Sequence, residues 1–166
     1  GVDSIEHGSY LDAESIELFK RTGAYLVPTL LAGRTVVDVA EATPDAFPPA
    51  VREKAMRVGP VMLESLGRAH REGVRIAFGT DSGVSRHGDN AIELELMVKA
   101  GMSAGEALRS ATSVAAALCG LEEEIGTIEA GKAADIIAVE GDPLRDVAEM
   151  RRVVFVMRDG VTHVDR

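Results

Sequence analysis

Two segments of this chain end a β-prone run in a side chain suited to metal chemistry. They are Ile5-Glu6-His7-Gly8 and Gly79-Thr80-Asp81-Ser82-Gly83. A neutral imidazole and a carboxylate are both good donors to a divalent cation, zinc included. When parallel strands of an α/β fold end in such residues, the side chains meet at the C-terminal rim, where variable loops surround a rigid frame. The neighbouring glycines let backbone and substrate come close. Neither segment is decisive alone. A strand-end histidine can be structural, and an aspartate before Ser82-Gly83 can simply cap the next turn.

The remaining polar residues carry less. His87 opens the loop after the Asp81 segment and is either a substrate contact or a plain loop residue. His70 sits beside Arg71 and Glu72 near a helix end and reads as solvated surface, and His163 has no assignable role. Cys119 lies in an Ala-rich run and reads as a buried, inert thiol. Gly-x-Ser-x-Gly would need serine where Asp81 stands, so a serine nucleophile elbow is excluded. There is no Gly-x-Gly-x-x-Gly and no Walker A sequence. Gly131-Lys132 belongs to a hairpin-like turn that Asp135 fixes by hydrogen bonding. Leu94, Met97, Leu108 and Leu118 at helical spacing are core positions.

Strand and helix alternate in the first half, as positioning those side chains requires. Residues 2–6 form a short strand ending at His7. A helix follows with Asp12 as N-cap, Ile16 and Phe19 on one face, and Gly23 as its stop. Residues 24–27 are continuously apolar, which suits a strand buried on both faces. Residues 33–49 hold Pro44, Pro48 and Pro49 and read as a loop or excursion. A helix with Val58, Met62, Leu66 and Ala69 on one face then stops at Gly73, and residues 74–78 form the strand that delivers Asp81. Asn90 with Glu93, and Ser103 with Glu106, have capping-box spacing. They predict helices ending at Gly101 and Gly120. Beyond Gly120 the pattern changes to apolar strands at 135–139 and 153–157, the latter running into an Asp159-Gly160 hairpin. The expected division is an α/β part over 1–120 and a small β module over 121–166.

The 166 residues carry 27 acidic and 18 basic side chains, a net charge of −9. Phosphate binding needs clustered Lys and Arg, so nucleic acid is excluded as a partner. No apolar stretch approaches the roughly 20 residues that span a bilayer, so no membrane partner is expected. One cysteine excludes a disulfide framework and a Cys-rich zinc site. A cytoplasmic location is expected. Gly1 does not look like a natural start, so the true N-terminus is expected elsewhere.

Six segments, taken in order, resemble the C-terminal half of the amidohydrolase superfamily. They are Ile5-Glu6-His7-Gly8, Val27-Pro28-Thr29-Leu30, Ile76-Ala77-Phe78-Gly79-Thr80-Asp81-Ser82-Gly83, His87-Gly88-Asp89-Asn90, Ala111-Thr112-Ser113-Val114-Ala115-Ala116 and Gly131-Lys132-Ala133-Ala134-Asp135. The similarity is to the branch of imidazolonepropionase-like enzymes and Xaa-Pro dipeptidases, and runs almost from Gly1 to Arg166. It implies an α/β fold: the second half of a (β/α)8 barrel, its sixth to eighth strands at 2–6, 24–27 and 74–78, then strands of a small composite β-sandwich. It implies one or two divalent metals, usually zinc. His7 would be a metal ligand, or in mononuclear members a contact to the water or substrate carbonyl. Asp81 would ligate metal and handle the proton of the attacking water, and His87 would border the substrate pocket.

The family's His-x-His pair, bridging lysine and further histidine have no counterparts here. These residues alone are therefore expected neither to hold zinc tightly nor to turn over substrate. The expected function is metal-dependent hydrolysis of a carbon–nitrogen bond in a small molecule or dipeptide, carried by a longer polypeptide. The alternative is a non-catalytic fragment serving as a binding or assembly module, and an isomerase or deaminase on the same scaffold stays open. Half a barrel exposes sheet edges, so homo-oligomerisation or pairing with the missing N-terminal half is expected.

Overall fold

The computed structural model describes all 166 residues, arranged around two three-stranded sheets. The first is parallel, in the order β1 (Ser4–Glu6), β2 (Tyr25–Val27), β3 (Arg75–Ile76), with Ser4 opposite Tyr25 and Leu26 opposite Ile76. Helix α1 (Ala13–Thr22) connects β1 to β2. Two helices, α2 (Leu30–Ala42) and α3 (Pro49–Arg71), connect β2 to β3. Parallel neighbours need such long crossovers, which is why strand and helix alternate. β3 is shorter than the expected strand at 74–78, although Ala77 N still donates to Leu26 O at 3.0 Å.

The unbroken apolar run in β2 is explained by cover on both faces. Leu26 and Ile76 join Ile16, Phe19, Leu66, Leu94 and Met97 in the main core. Tyr25, Val27 and Ala77 form a second cluster on the opposite face, against Val114 and Leu118. Asp12 caps α1 through Ser15 N at 2.8 Å, and Gly23 ends it at φ 72°, both as the sequence predicts.

Five sequence expectations are corrected. Most of residues 33–49 is helical, not a loop: only 43–48 separates α2 from α3. The two helices run antiparallel, with Gly33 beside Met62, Gly59 beside Val37, and Arg52 Nε donating to Ala40 O at 3.0 Å. Glycine permits that close approach, and the prolines merely bracket the turn and start α3. Secondly, Asn90 makes no side-chain cap on helix α4 (Ala91–Lys99), because Glu93 is turned into the core. Ser103 and Glu106 do form the reciprocal box on α5 (Ala104–Ser110). Thirdly, that helix does not continue to Gly120. It breaks at Ala111–Thr112, where Ser110 O accepts from Phe78 N at 3.0 Å, and restarts as α6 (Ser113–Leu118). Fourthly, Cys119 is exposed at the end of α6, not buried. His70 is half-buried, its Nε2 3.2 Å from Glu106 Oε1, so it is more than solvated surface.

The second sheet is antiparallel: β4 (Ile136–Val139), β5 (Val153–Arg158), β6 (Val161–Asp165). Asp159 and Gly160 both take positive φ in the β5–β6 turn, and Asp159 N donates to Asp135 Oδ1 at 2.7 Å, so Asp135 fixes this turn and not the Gly131-Lys132 turn expected from the sequence. A 3-10 helix (Val147–Arg151) packs Val147 into the main core, with Arg151 reaching Glu95 of α4. No helix is long and apolar enough to cross a membrane.

Candidate active site

All three parallel strands end on the same side of their sheet, and within five residues of its end each is followed by a left-handed residue that is not glycine. His7 has φ 68°, Thr29 φ 47° and Asp81 φ 52°. Only one other non-glycine residue in the chain has positive φ, Asp159 in its hairpin turn. Such backbone costs on the order of 1–3 kcal/mol per residue and gathers at functional sites. For β-branched Thr29 it is a true outlier.

His7 is built by a strand that stops abruptly. Its N–H donates to Val27 O at 2.8 Å, extending the β1–β2 ladder by one bond. Gly8 then turns the chain back, donating to Glu6 O at 2.8 Å. Gly8 has to be glycine: its φ is 53°, and a Cβ there would lie 2.5 Å from Leu26 Cδ1. The imidazole is held from one side, with Nδ1 2.5 Å from Thr29 Oγ1. That contact fixes the ring and leaves Nε2 without a hydrogen-bond partner.

Asp81 reaches the same rim across β2. Gly79 lets its segment lie against β2, since a Cβ on Gly79 would collide with Val27 Cγ1 and stand 4.0 Å from Thr29 Cγ2. Beyond it, Thr80 Oγ1 and Ser82 Oγ are 2.7 Å apart, and Val84 N donates to Asp81 O at 3.3 Å. The Asp81 carboxylate is solvent-exposed and accepts no hydrogen bond from the protein. β1 and β3 flank β2, so the strands carrying His7 and Asp81 lie roughly 10 Å apart, two strand spacings. His87 is exposed in the loop leading to α4 and bonds to neither.

Behind the rim lies a group that the sequence disguised. Glu93 of α4 is 0% exposed, and its carboxylate accepts from Leu30 N at 2.9 Å and Leu31 N at 2.6 Å. Burial pushes its pKa up from 4.5 to about 7, against the pull of those two N–H groups. Its position was the available signal: Glu93 precedes Leu96 and Met97 by three and four residues, which places a carboxylate on an apolar helix face.

One nitrogen and one carboxylate suit a divalent cation in kind but fall short in number. Nowhere are three or more His, Cys, Asp or Glu side chains gathered as a metal site would need.

A model of the amidohydrolase family matches residues 1–162. The chain belongs to that family. Among solved structures, it is similar to a Xaa-Pro dipeptidase with methionine bound in the active site. The TM-score is 0.93 and the identity 44%, over 99% of this chain and 40% of that one. Among curated proteins, it is 34% identical over 174 residues to the ochratoxinase of Aspergillus niger, covering 99% of this chain and 32% of that protein. It is also 44% identical over 77 residues to the imidazolonepropionase of Sphingopyxis alaskensis, covering 44% of this chain and 19% of the relative. This amidohydrolase therefore stands with the prolidase-like and imidazolonepropionase-like members. It spans less than half the length of each.

Proposed function

We propose that this amidohydrolase chain contributes to the hydrolysis of amide-type carbon–nitrogen bonds, with an Xaa-Pro dipeptide as the first substrate class to test. The carrying observation is the rim itself: three adjacent strand ends hold His7, Thr29 and Asp81 in left-handed backbone, with His7 Nε2 and the Asp81 carboxylate left without protein partners. The likeness to a Xaa-Pro dipeptidase supports the substrate class.

In this reading residues 1–120 form the second half of a (β/α)8 barrel and 121–166 the strands of a β-sandwich. β1 and β3 are both edge strands, and Val2, Ile5 and Leu18 are exposed near the β1 edge at 61%, 42% and 41%. These surfaces fit pairing with the rest of the barrel or with a second copy. His7 Nε2 and Asp81 would hold a divalent cation, zinc by the donor set, together with donors from outside these residues. When bound, such an ion draws the pKa of water toward neutrality and polarises a carbonyl. Asp81 takes the proton of the attacking water on a carboxylate oxygen and passes it to the leaving nitrogen. Thr29 keeps the His7 ring from turning, and His87 contacts substrate from the loop above.

The test is Asp81→Asn in the full-length polypeptide that carries this chain. A fall in kcat of about 100-fold or more on an Xaa-Pro dipeptide, with the circular dichroism spectrum unchanged, is expected for loss of a proton carrier. Unchanged turnover removes Asp81 from the chemistry. The 166 residues alone should retain no stoichiometric zinc through dialysis.

A further inference from the structure

Helix α2 begins in an unusual way. The first backbone N–H groups of a helix lack intrahelical partners, and a threonine at the N-cap ordinarily supplies one through its own hydroxyl from extended backbone. Thr29 does neither. Its backbone is left-handed and its hydroxyl makes no cap; Oγ1 lies instead 2.5 Å from His7 Nδ1. The vacant capping duty is filled from 62 and 63 residues away, by the two oxygens of Glu93 on Leu31 N and Leu30 N.

These two departures explain one another. Were Thr29 to cap α2, its hydroxyl would point along the helix start and His7 Nδ1 would lose its partner. Because Glu93 takes both amide groups, the hydroxyl is released to the imidazole. Glu93 is in no salt bridge and accepts from no other donor, so its two oxygens serve this junction alone. Its helix starts at Ala91, directly after the loop that carries Asp81 and His87, so one carboxylate ties the exit of that loop to the His7 side of the rim.

We propose that Glu93 is a positioning residue for His7. It caps α2 in place of Thr29, and thereby holds the Thr29 backbone left-handed and its hydroxyl on Nδ1. The functional consequence rests on the reading of His7 as a site residue; the structural consequence does not.

The experiment is a double-mutant cycle of Glu93→Gln and Thr29→Val in the full-length polypeptide, with kcat and KM measured on an Xaa-Pro dipeptide and each variant crystallised. Glutamine keeps the volume but turns an N–H₂ toward one of the two amides. Each single change should lower kcat about tenfold, as loss of one orienting hydrogen bond allows, with KM within about twofold. The double variant should be no worse than the poorer single one, because both act through the same contact. Thr29→Ser should restore kcat to within about twofold, since it returns the hydroxyl. Losses that multiply, or serine failing to rescue, would overturn the coupling. The crystal structure of Glu93→Gln decides independently of any activity. Thr29 leaving the left-handed region, with Oγ1 beyond hydrogen-bond distance of Nδ1, is expected; an unchanged Thr29–His7 contact refutes the proposal even if the hydrolase reading stands. If Glu93→Gln does not fold, Glu93→Asp, which keeps the charge but shortens the reach, takes its place in the same cycle.

Discussion

Burying Glu93 should write a specific pH dependence into the stability of the fold. Its carboxyl rises from 4.5 to about 7 on folding, because burial disfavours the charge more than two N–H donors favour it. Below pH 4.5 the group is protonated in folded and unfolded chains alike, and its contribution is fully present. Between 4.5 and about 7 the unfolded chain has released the proton while the folded one retains it, so stability falls as pH rises. Above about 7 both states are ionised and the loss is complete. The window spans about 2.5 pH units at about 1.4 kcal/mol each, or about 3–4 kcal/mol in all. Glu93→Gln has no such proton to lose. Urea unfolding of wild type and variant at pH 4, 5, 6, 7 and 8, at constant ionic strength, isolates the effect, because other titrations cancel in the difference. The difference should move against wild type by about 3–4 kcal/mol from pH 4 to pH 8, with most of the change complete by pH 7. A difference constant to within about 0.5 kcal/mol would show that the folded carboxyl is not desolvated as its burial requires.

Other perturbations follow from particular contacts. Gly67→Ala should lower stability by about 1–2 kcal/mol in urea unfolding: a Cβ there meets Ala100 O at 2.6 Å, and the overpacking outweighs the roughly 1 kcal/mol helix-propensity gain. A stabilised variant would mean that α3 and α4 can separate freely. Ser103→Ala removes the box on α5 and should cost about 1 kcal/mol near neutrality. It also removes the main cause holding Glu106 down to about 2, so the stability that Glu106 lends above 4.5 and loses toward pH 2 should shrink in acid titrations. His87→Ala should raise KM with kcat nearly unchanged, and a fall in kcat at constant KM would place His87 in the chemistry instead.

The rim was legible in the sequence where its signals are local. His7-Gly8 and Asp81-Ser82-Gly83 each follow a β-prone run, and the structure ends β1 directly before His7 and β3 at Ile76, five residues before Asp81. Asp12, Gly23, Ser103 and Asp159-Gly160 were legible for the same reason, since their work is done within a few residues. What escaped depends on partners far along the chain. Thr29 has the type of a capping residue but does not cap α2; the cap comes from Glu93 on α4, which the local sequence cannot reveal. Glu93 has the spacing of a capping box with Asn90, and spacing cannot tell a carboxylate facing solvent from one facing the core. The break between α5 and α6 answers to Phe78, across the sheet. Cys119 was misjudged because the Ala-rich run around it has only one deeply buried member, Ala116.

The left-handed rim sets a limit on how this chain can be improved. At three successive strand ends glycine would sit more comfortably than the residue present, yet each position carries lone pairs. Engineering for heat tolerance would be drawn to these sites first and, on the proposed function, would blunt the protein by succeeding there. Sturdiness is better sought in the β5–β6 turn or the α2–α3 connection, where the chain gives up nothing but slack.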